Sequence, residues 1–425
     1  MIKVGLLGLG TVGESVARIL QENSDIIEAR AGKKIVPVVA AVKDLSKKRD
    51  VDIALTDDAF GVVNSEKVDI VVELMGGVEE PYRYIKRALE RKKPVVTANK
   101  ALLAYHRYEL QELAGDTPLF YEASVAGGIP VIGALRNGLS ANHIDSIEGI
   151  MNGTTNYMLS RMIDEGVDYS SALQEAQELG YAEADPTFDV GGYDTAHKLL
   201  VLGSIAYGID AKPEEIVIEG IENITSTDVE FAKEFGYEIK LLGIAKKVTG
   251  GIEMRVHPTM IPSTSMIAKV DGVMNAVTVT GDRVGETMYY GPGAGGGPTA
   301  SAVIADIIEI ARGNASPMMG YKKGLESGLR LLEPDEISSQ YYIKLKVEDK
   351  PGVLASVASR LGEFDISIES LLQKPSKRSE MVRLLLTTHL CKEKKIKEAL
   401  RNLATLESVD ENINFIRIEK CQRQK

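Results

Sequence analysis

The chain has 425 residues, enough for two or three domains of ordinary size. It carries 50 basic and 61 acidic residues, a formal net charge of −11, which argues against a protein that wraps nucleic acid. Its two cysteines exclude a disulfide framework and a multi-cysteine zinc site, and they suit a reducing, cytoplasmic compartment.

The start of the chain predicts neither a secretory leader nor a membrane anchor. Met1 leads directly into the apolar run Ile2–Leu7, without a charged leader or a cleavage site. No uninterrupted apolar run reaches the roughly 18 residues that a membrane-spanning helix needs. We therefore expect a cytoplasmic protein without a membrane partner.

Residues 1–130 alternate short apolar runs with helical periods. This alternation predicts an α/β fold, a doubly wound Rossmann-type domain with a parallel sheet. The predicted strands are Ile2–Leu7, Val36–Val42, Val68–Leu74, Pro94–Thr97 and Leu119–Tyr121, and the predicted helices are Val12–Glu22 and Glu79–Arg91.

A glycine motif lies between the first strand and the first helix. Glycines in this setting allow a tight turn and bring backbone N–H groups close to a pyrophosphate, so the motif predicts a dinucleotide site. The alternative is a glycine turn that only lets the helix pack against the strand. The candidate cofactor contacts are Gly8, Gly10, Thr11, Val12 and Gly13.

The loop after the second strand bears on the choice between NAD and NADP. A base at this point suits a 2′-phosphate, and an acid suits a 2′-hydroxyl. Lys43 and the run 47–49 favour NADP, whereas Asp44 keeps NAD open. A solvated basic loop without a ligand is the remaining alternative.

Residues 131–296 form a mixed region, for which we predict an α+β catalytic and dimerisation domain. Its predicted strands are Ile144–Met151, Ile239–Val248 and Val277–Val279, and its predicted helices are Asn156–Glu165, Ser170–Leu179 and Asp194–Tyr207. A glycine run at 291–297, with Gly293 and Gly295, precedes a helix from about Thr299 to Arg312. The run suits a phosphate cradle or a hairpin, and the helix at about 297–320 is expected to complete the first domain.

Two segments carry candidate catalytic side chains. Lys100 follows a strand end, where ligands of doubly wound sheets bind, although a surface lysine is the alternative. Between Gly180 and Lys198 the carboxylates Glu183, Asp185, Asp189 and Asp194 lie near glycines. Asp194 and Lys198 are four residues apart and share a helix face, so Lys198 is a candidate proton-transfer group. A surface ion pair beside a glycine turn is the competing interpretation.

The sequence offers one weak cation site and no zinc site. The five histidines are scattered without zinc-ligand spacing. Glu122 and the glycine-rich backbone of 124–129 present oxygen atoms that suit a hard cation, or else form a plain strand-to-helix turn. Both cysteines lie beyond residue 390, which argues against a thiol mechanism.

The end of the chain predicts a separate small module. Residues 313–339 are polar and interrupted by glycine, which is typical of a linker. Residues 340–420 then have the order strand, helix, strand, strand, helix, strand.

These motifs together resemble the homoserine dehydrogenase family over nearly the whole chain. The motifs that carry the resemblance are GLGTVGE at the start, VVELMGG at 71–77, VVTANKALL at 95–103, NGTTNY at 152–157 and GYAEADPTFDVGGYDTAHK at 180–198. The resemblance implies reversible, NAD(P)-dependent oxidation of L-homoserine to L-aspartate 4-semialdehyde, a step of threonine, methionine and isoleucine synthesis. Another amino-acid dehydrogenase and a non-catalytic amino-acid sensor are the alternatives.

The resemblance also implies roles for individual residues. Lys198 would be the acid/base group, Asp194 would orient it, and Lys100 would lie beside the nicotinamide. Glu183, Asp189 and Asp194 would bind substrate, with Glu183 at its amino group. Gly180 and Glu183 would lie at the cofactor. A sodium ion would be held by Glu122 and by the carbonyl groups of Val125, Gly127 and Ile129. Which lysine moves the proton stays open.

Residues 340–420 resemble an ACT domain, with Asp349–Leu354 as the turn into its first helix. Such modules usually pair and bind an amino acid, so we expect feedback inhibition by L-threonine and a homo-oligomer, either a dimer or a tetramer. Because no kinase domain precedes Met1, we expect a monofunctional enzyme.

Overall fold

The computed structural model of the chain describes residues 1–325, 328–374 and 381–420. The strands are β1 (Ile2–Leu7), β2 (Ile35–Ala41), β3 (Ala54–Thr56), β4 (Ile70–Glu73), β5 (Val95–Thr97), β6 (Leu119–Phe120), β7 (Ile144–Ile150), β8 (Val217–Ile218), β9 (Tyr237–Val248), β10 (Gly251–Pro262), β11 (Met274–Gly281), β12 (Gly285–Pro292), β13 (Ser338–Glu348), β14 (Ile368–Lys374), β15 (Met381–Thr388), β16 (Cys391–Lys392) and β17 (Asn414–Ile418). The helices are α1 (Thr11–Glu22), α2 (Ser24–Ala31), α3 (Ala59–Asn64), α4 (Glu79–Glu90), α5 (Lys100–Ala114), α6 (Val131–Gly133), α7 (Gly153–Glu165), α8 (Tyr169–Glu178), α9 (Thr187–Val190), α10 (Tyr193–Tyr207), α11 (Ser226–Glu234), α12 (Gly296–Ala311), α13 (Val353–Glu363) and α14 (Glu393–Leu403).

The chain divides into two compact units, and each is built from three stretches of sequence. Unit 1 comprises residues 1–153, 194–213 and 273–329. Unit 2 comprises residues 154–193, 214–272 and 330–425. No helix among the described residues is long and apolar enough to cross a membrane.

Unit 1 contains a parallel sheet in the order β3-β2-β1-β4-β5-β6. Strand order reverses next to β1, and ligands of such sheets bind at the carboxyl edge beside this reversal. The core below the sheet joins residues from distant parts of the sequence, because α12 contributes Ala300, Val303 and Ile307 to the cluster that contains Val16 of α1. The predicted α/β fold with a parallel sheet is confirmed.

Unit 1 also contains the antiparallel ribbon β7-β11-β12. Ala276 of β11 lies between Ile150 of β7 and Tyr290 of β12. β7 ends at Ile150, so Met151 and Asn152 follow directly at the strand end, and both are buried.

Unit 2 contains an antiparallel pair of long strands, β9 and β10, joined at Val248–Gly251. β17 pairs in parallel with β10, through Thr259 and Arg417. From β17 the sheet continues in the order β13-β15-β14, with α13 and α14 packed in the same module. This arrangement confirms the predicted ACT module, to which the short strand β16 is added.

Several elements differ from the sequence-based prediction. Helices α2, α3, α5 and α11 were not expected, although Asn99 is a good N-cap for α5 and accepts a hydrogen bond from the Leu102 N–H at 3.0 Å. β13 begins at Ser338, within the segment interpreted as a linker, because pairing with β16 buries Ser339. Met318 and Met319 of the same segment are also buried.

Candidate active site

Three charged side chains meet in unit 1. Lys100 is the first residue of α5, and Asp194 and Lys198 lie one turn apart on α10. Lys100 Nζ forms an ion pair with Asp194 Oδ1, and Lys198 Nζ lies 2.8 Å from Asp194 Oδ2. The structure therefore brings Lys100 into contact with the Asp194–Lys198 pair, which lies about 100 residues later in the sequence.

The carboxylate at the centre of this group is held on several sides. Asp194 is buried and also accepts a hydrogen bond from Asn152 Nδ2 at 2.9 Å. Burial alone would raise its pKa, but the charges of Lys198 and Lys100 outweigh that effect and hold the pKa well below its ordinary value. Asp194 is therefore a fixed anion that orients both ammonium groups.

Lys198 has a second fixed contact. Its Nζ donates a hydrogen bond to the Met151 carbonyl at 2.6 Å, at the end of β7. The side chain is buried, although its ammonium is among the most strongly hydrated of protein cations. A buried lysine held by one carboxylate and one carbonyl is a good candidate for proton transfer or for stabilising a developing alkoxide.

The position of Lys100 follows from the strand ends beside it. A cation at a helix N-terminus is unfavourable for the helix, so its place there points to a functional role. Asn99 fixes the turn by donating from Nδ2 to the Gly77 carbonyl at 2.8 Å and from its N–H to Thr97 Oγ1 at 3.0 Å. Thr97 in turn donates to buried Glu73 Oε2 at 2.5 Å.

Glu73 is the last residue of β4, and it supports the turn at Thr97–Asn99 through its hydrogen bond with Thr97. Its Oε1 accepts the Met75 N–H at 2.7 Å, so one carboxyl group holds both neighbouring loops. Burial raises the pKa of Glu73 to about 7. The hydrogen bonds from Thr97, Met75 and Asn99 lower the pKa, but by less than burial raises it.

A buried arginine joins the two helices that carry the charged group. Arg107 of α5 donates from Nε to Ser204 Oγ of α10 at 2.6 Å and from Nη2 to the Ala211 carbonyl at 2.6 Å. It also lies 3.3 Å from Asp210. These contacts fix the relative position of α5 and α10, and with it the distance between Lys100 and Lys198.

A cavity of about 280 Å³ opens onto the two lysines. Its other walls come from α1, from the segments that follow β4, β5 and β6, and from the segment that leads into α12. The lining residues are Val12, Leu74, Met75, Ala98, Lys100, Ala123, Ser124, Gly127, Lys198, Gly293, Ala294 and Thr299.

A second cavity, of about 430 Å³, lies over the glycine motif and shares Met75 with the first. Gly8 has a φ of +98°, and a Cβ there would lie 2.7 Å from the Leu74 carbonyl oxygen, so glycine is required. Gly10, by contrast, has open space around it. Gly8 and Gly10 both line the cavity. Gly13 does not, and a Cβ at Gly13 would lie 2.5 Å from the Gly8 carbonyl oxygen.

The basic loop lies at the far side of this second cavity. Arg49 closes the loop by donating to the carbonyl groups of Asp44 and Lys47 and, from Nε, to that of Leu9. Lys43, Lys47 and Arg49 line the cavity, together with the acids Asp57 and Glu80. Asp44 does not line it; its carboxylate accepts the N–H and the hydroxyl of Ser46 at 2.8 and 2.6 Å.

The acidic loop of residues 180–189 belongs to unit 2. Gly180 ends α8 with a φ of +74°, as the sequence predicts for a helix-terminating glycine. Glu183 is exposed, and its carbonyl accepts a hydrogen bond from Gln177 Nε2 at 3.1 Å. Asp189 lies half-buried in α9, and Asp185 accepts the Thr187 N–H ahead of that helix.

The carbonyl-rich turn after β6 contains Glu122. Its carboxylate is buried and accepts the N–H groups of Ile132 and Gly133 at 2.9 and 2.6 Å. Burial raises its pKa, which a bound cation would counteract. Ala126 and Gly127 have φ values of 55° and 52°, and this rare backbone conformation turns successive carbonyl groups. The oxygen donors suit a hard monovalent cation, although no cluster of three or more acids, histidines or cysteines that suits a metal occurs in the described part of the chain.

Comparison with known proteins identifies the family. The sequence profile of homoserine dehydrogenase matches residues 130–308, that of its NAD-binding domain residues 8–118, and that of the ACT domain residues 341–408. Homoserine dehydrogenase of Helicobacter pylori is 54% identical over 98% of this chain and 99% of its own. The chain belongs to the homoserine dehydrogenase family.

Solved structures agree with this assignment. A homoserine dehydrogenase from Thiobacillus denitrificans has a TM-score of 0.93 and 44% identity, covering 99% of this chain and 98% of that one. A hyperthermophilic archaeal homoserine dehydrogenase in complex with NADPH has a TM-score of 0.62 and 27% identity, over 76% of this chain and 99% of that one. This family member is an NAD(P)-dependent oxidoreductase that acts on the CH–OH group of L-homoserine.

Two contributors to the site were missed by sequence reasoning. Asn152, which holds Asp194, lies within the NGTTNY motif but had no assigned role. Glu73 lies within VVELMGG, where an acid that ends an apolar strand was a signal. Both act by holding other groups, which a linear pattern does not reveal.

Proposed function

We propose that Lys198 is the proton-transfer residue of homoserine oxidation and that Lys100 polarises the reacting oxygen. The observation that carries this proposal is the contact of both ammonium groups with Asp194 at the wall of one cavity. A bound nicotinamide cofactor would supply or accept the hydride.

In the oxidative direction, Lys198 in its neutral amine form takes the proton of the substrate hydroxyl and becomes the ammonium that Asp194 and the Met151 carbonyl hold. Lys100 donates a hydrogen bond to the same oxygen. Asp194 keeps both lysines in place, and the Met151 carbonyl fixes the direction of the Lys198 side chain. In the reductive direction Lys198 returns the proton to the carbonyl oxygen of the semialdehyde.

For the substrate, we propose that Glu183 binds the α-ammonium group and that Asp189 is a second substrate-binding residue near it. An exposed carboxylate after a helix-ending glycine is accessible to a cationic group. We also assign Gly180 and Glu183 to the binding of the cofactor. Glu183→Gln should raise KM for aspartate semialdehyde about tenfold or more with little change in kcat, because the ammonium contact exists in ground and transition states alike. The matched control is Asp185→Asn, two residues away, and an unchanged KM in Glu183→Gln contradicts the assignment.

For the cofactor, we propose a preference for NADPH over NADH. Lys43, Lys47 and Arg49 line the cavity over the glycine motif, whereas Asp44 does not line it and accepts two hydrogen bonds from Ser46 at Oδ1. The archaeal relative solved with NADPH supports the same choice. Lys43→Gln together with Lys47→Gln should lower kcat/KM for NADPH more than for NADH. Equal losses with both cofactors contradict the preference.

For the cation, we propose sodium at the Glu122 carboxylate and the carbonyl groups of Val125, Gly127 and Ile129. The buried carboxylate with its raised pKa and the turned carbonyl groups support it. Replacing choline chloride by sodium chloride at equal ionic strength should raise the Tm of the parent and not that of Glu122→Gln. An equal response of both proteins to sodium contradicts the site.

For regulation, we propose that the ACT module binds L-threonine at the turn Asp349–Leu354 and that the enzyme is a dimer or a tetramer. Gly352 has a φ of +93° and caps α13, so this turn presents backbone groups at a helix start. Asp349→Asn should raise the inhibitory threonine concentration while kcat without threonine stays unchanged. Unaltered inhibition contradicts the assignment, and analytical ultracentrifugation decides the oligomeric state.

A further inference from the structure

Unit 2 contains a cavity of about 710 Å³ that none of the functions above uses. It lies among the ends of β9, β10, β13 and β17, the connection before β13, and β16. Its size falls within the range of pockets that bind small molecules. The charged side chains that line it are Lys246, Glu253, Arg255, Arg330, Glu336, Lys392, Glu419 and Lys420.

This cavity is distinct from the turn to which we assign threonine. It contacts the first residues of β13, Ser338–Gln340, whereas the turn Asp349–Leu354 follows the other end of that strand. At about 3.3 Å per residue, the 11 residues of β13 separate the two places by roughly 30 Å.

Arg255 is a buried charged residue that lines the cavity. Its side chain is only 1% exposed, and its Nη2 bonds to Glu419 Oε2 at 2.6 Å and lies 3.3 Å from Glu253 Oε1. Its Nε and Nη1 are buried and have no hydrogen-bond partner among the described residues. A buried donor without a partner costs free energy, because it has lost its hydrogen bonds to water. Binding of an acceptor that reaches these two donors is therefore favoured.

The remaining charges of the cavity favour an anion as that acceptor. Five cationic side chains and three carboxylates line it, and one of the cations, Lys420, is paired with Glu369 outside the cavity. Glu336 is already bound by both terminal nitrogens of Arg330, each at 2.7 Å, and Glu419 is shared by Lys246 and Arg255. Burial raises the pKa of Glu253, and the positive charges of Arg255 and Lys246 oppose that rise.

We propose that this cavity is a binding site for a small organic carboxylate. The carboxylate oxygens accept hydrogen bonds from Nε and Nη1 of Arg255, and the positive charge of Lys392 attracts the ligand. The ligand oxygen completes the hydrogen bonding of a guanidinium whose other side is fixed by Glu419. The site joins β10 to β17, the strands through which the ACT module pairs with the rest of unit 2.

Binding to the full-length protein tests this proposal directly. The probes are sodium acetate, sodium succinate and inorganic phosphate, titrated at constant ionic strength in chloride buffer and followed by calorimetry. We expect saturable binding of at least one carboxylate, with a Kd of about 1 mM or tighter. Arg255→Lys keeps the charge beside Glu419 but removes the two unpaired donors, so it should weaken binding about tenfold or more.

The matched control is Arg360→Lys, an arginine of α13 that pairs with Glu363 outside the cavity, and it should bind as the parent does. Lys392→Gln, an exposed position at the cavity, should weaken binding several-fold and serves also if Arg255→Lys does not fold. Absence of saturable carboxylate binding overturns the proposal, as does binding that neither Arg255→Lys nor Lys392→Gln weakens. Tighter binding of phosphate than of either carboxylate overturns the assignment of ligand class.

Discussion

Replacing Lys198 by methionine removes the ammonium group and keeps most of the apolar volume. Two hydrogen bonds are lost, to the Met151 carbonyl at 2.6 Å and to Asp194 at 2.8 Å. Because bonds of a charged group are each worth about 1.5–3 kcal/mol, the expected loss of stability is roughly 3–6 kcal/mol. The lower half of this range is favoured, since Lys100 still neutralises Asp194.

The loss of activity should be much larger than this loss of stability suggests. Removing a positioned acid/base group typically costs about 10²–10⁴ in rate, so kcat should fall by that factor. The assay follows NADPH absorbance with saturating aspartate semialdehyde, at a temperature where the variant is folded by circular dichroism. KM should change little, since the proton moves only in the chemical step.

Lys93→Met is the matched control for this variant. Lys93 is likewise a buried lysine of unit 1 that donates to a backbone carbonyl, that of Ser65, but it does not line either cofactor-side cavity. It should lose stability and keep kcat. A kcat of Lys198→Met within about tenfold of the parent would refute the assigned role, and a larger loss in Lys100→Met than in Lys198→Met would assign the proton to Lys100 instead.

Three further outcomes are expected. Because burial raises the pKa of Glu73 to about 7 from an ordinary 4.5, the folded state holds a proton that the unfolded state releases, and stability should fall by about 3 kcal/mol as pH rises from 4.5 to 7. Glu73→Gln should lack this contribution in urea unfolding at several pH values, and an identical pH dependence in both proteins would contradict the assignment. Asp194→Asn leaves two ammonium groups without their shared anion, so it should lose about 3–5 kcal/mol in urea unfolding and most of its turnover; full activity would show that Asp194 orients neither lysine. Tyr342→Phe removes a 3.0 Å hydrogen bond to buried Asp228 and should cost about 1–3 kcal/mol, whereas Tyr290→Phe, at an exposed tyrosine, should cost nothing measurable.

The sequence by itself determined the strand–helix alternation of the first domain and the presence of a nucleotide site. Strand–helix alternation and the spacing of Gly8, Gly10 and Gly13 are local patterns, and local patterns follow from backbone sterics and side-chain periodicity. The Asp194–Lys198 pair was also readable, because residues four apart on a helix always share a face.

Only the tertiary structure decided how the distant residues combine. Lys100 alone resembled a surface lysine, and it became part of the site because the strand end of β5 and the helix α10 lie together in unit 1. The part played by Asn152 in holding Asp194 likewise depends on where β7 ends. The unpaired donors of Arg255 have no sequence signal at all, since an alternating strand predicts which face a side chain takes and not which hydrogen bonds it lacks.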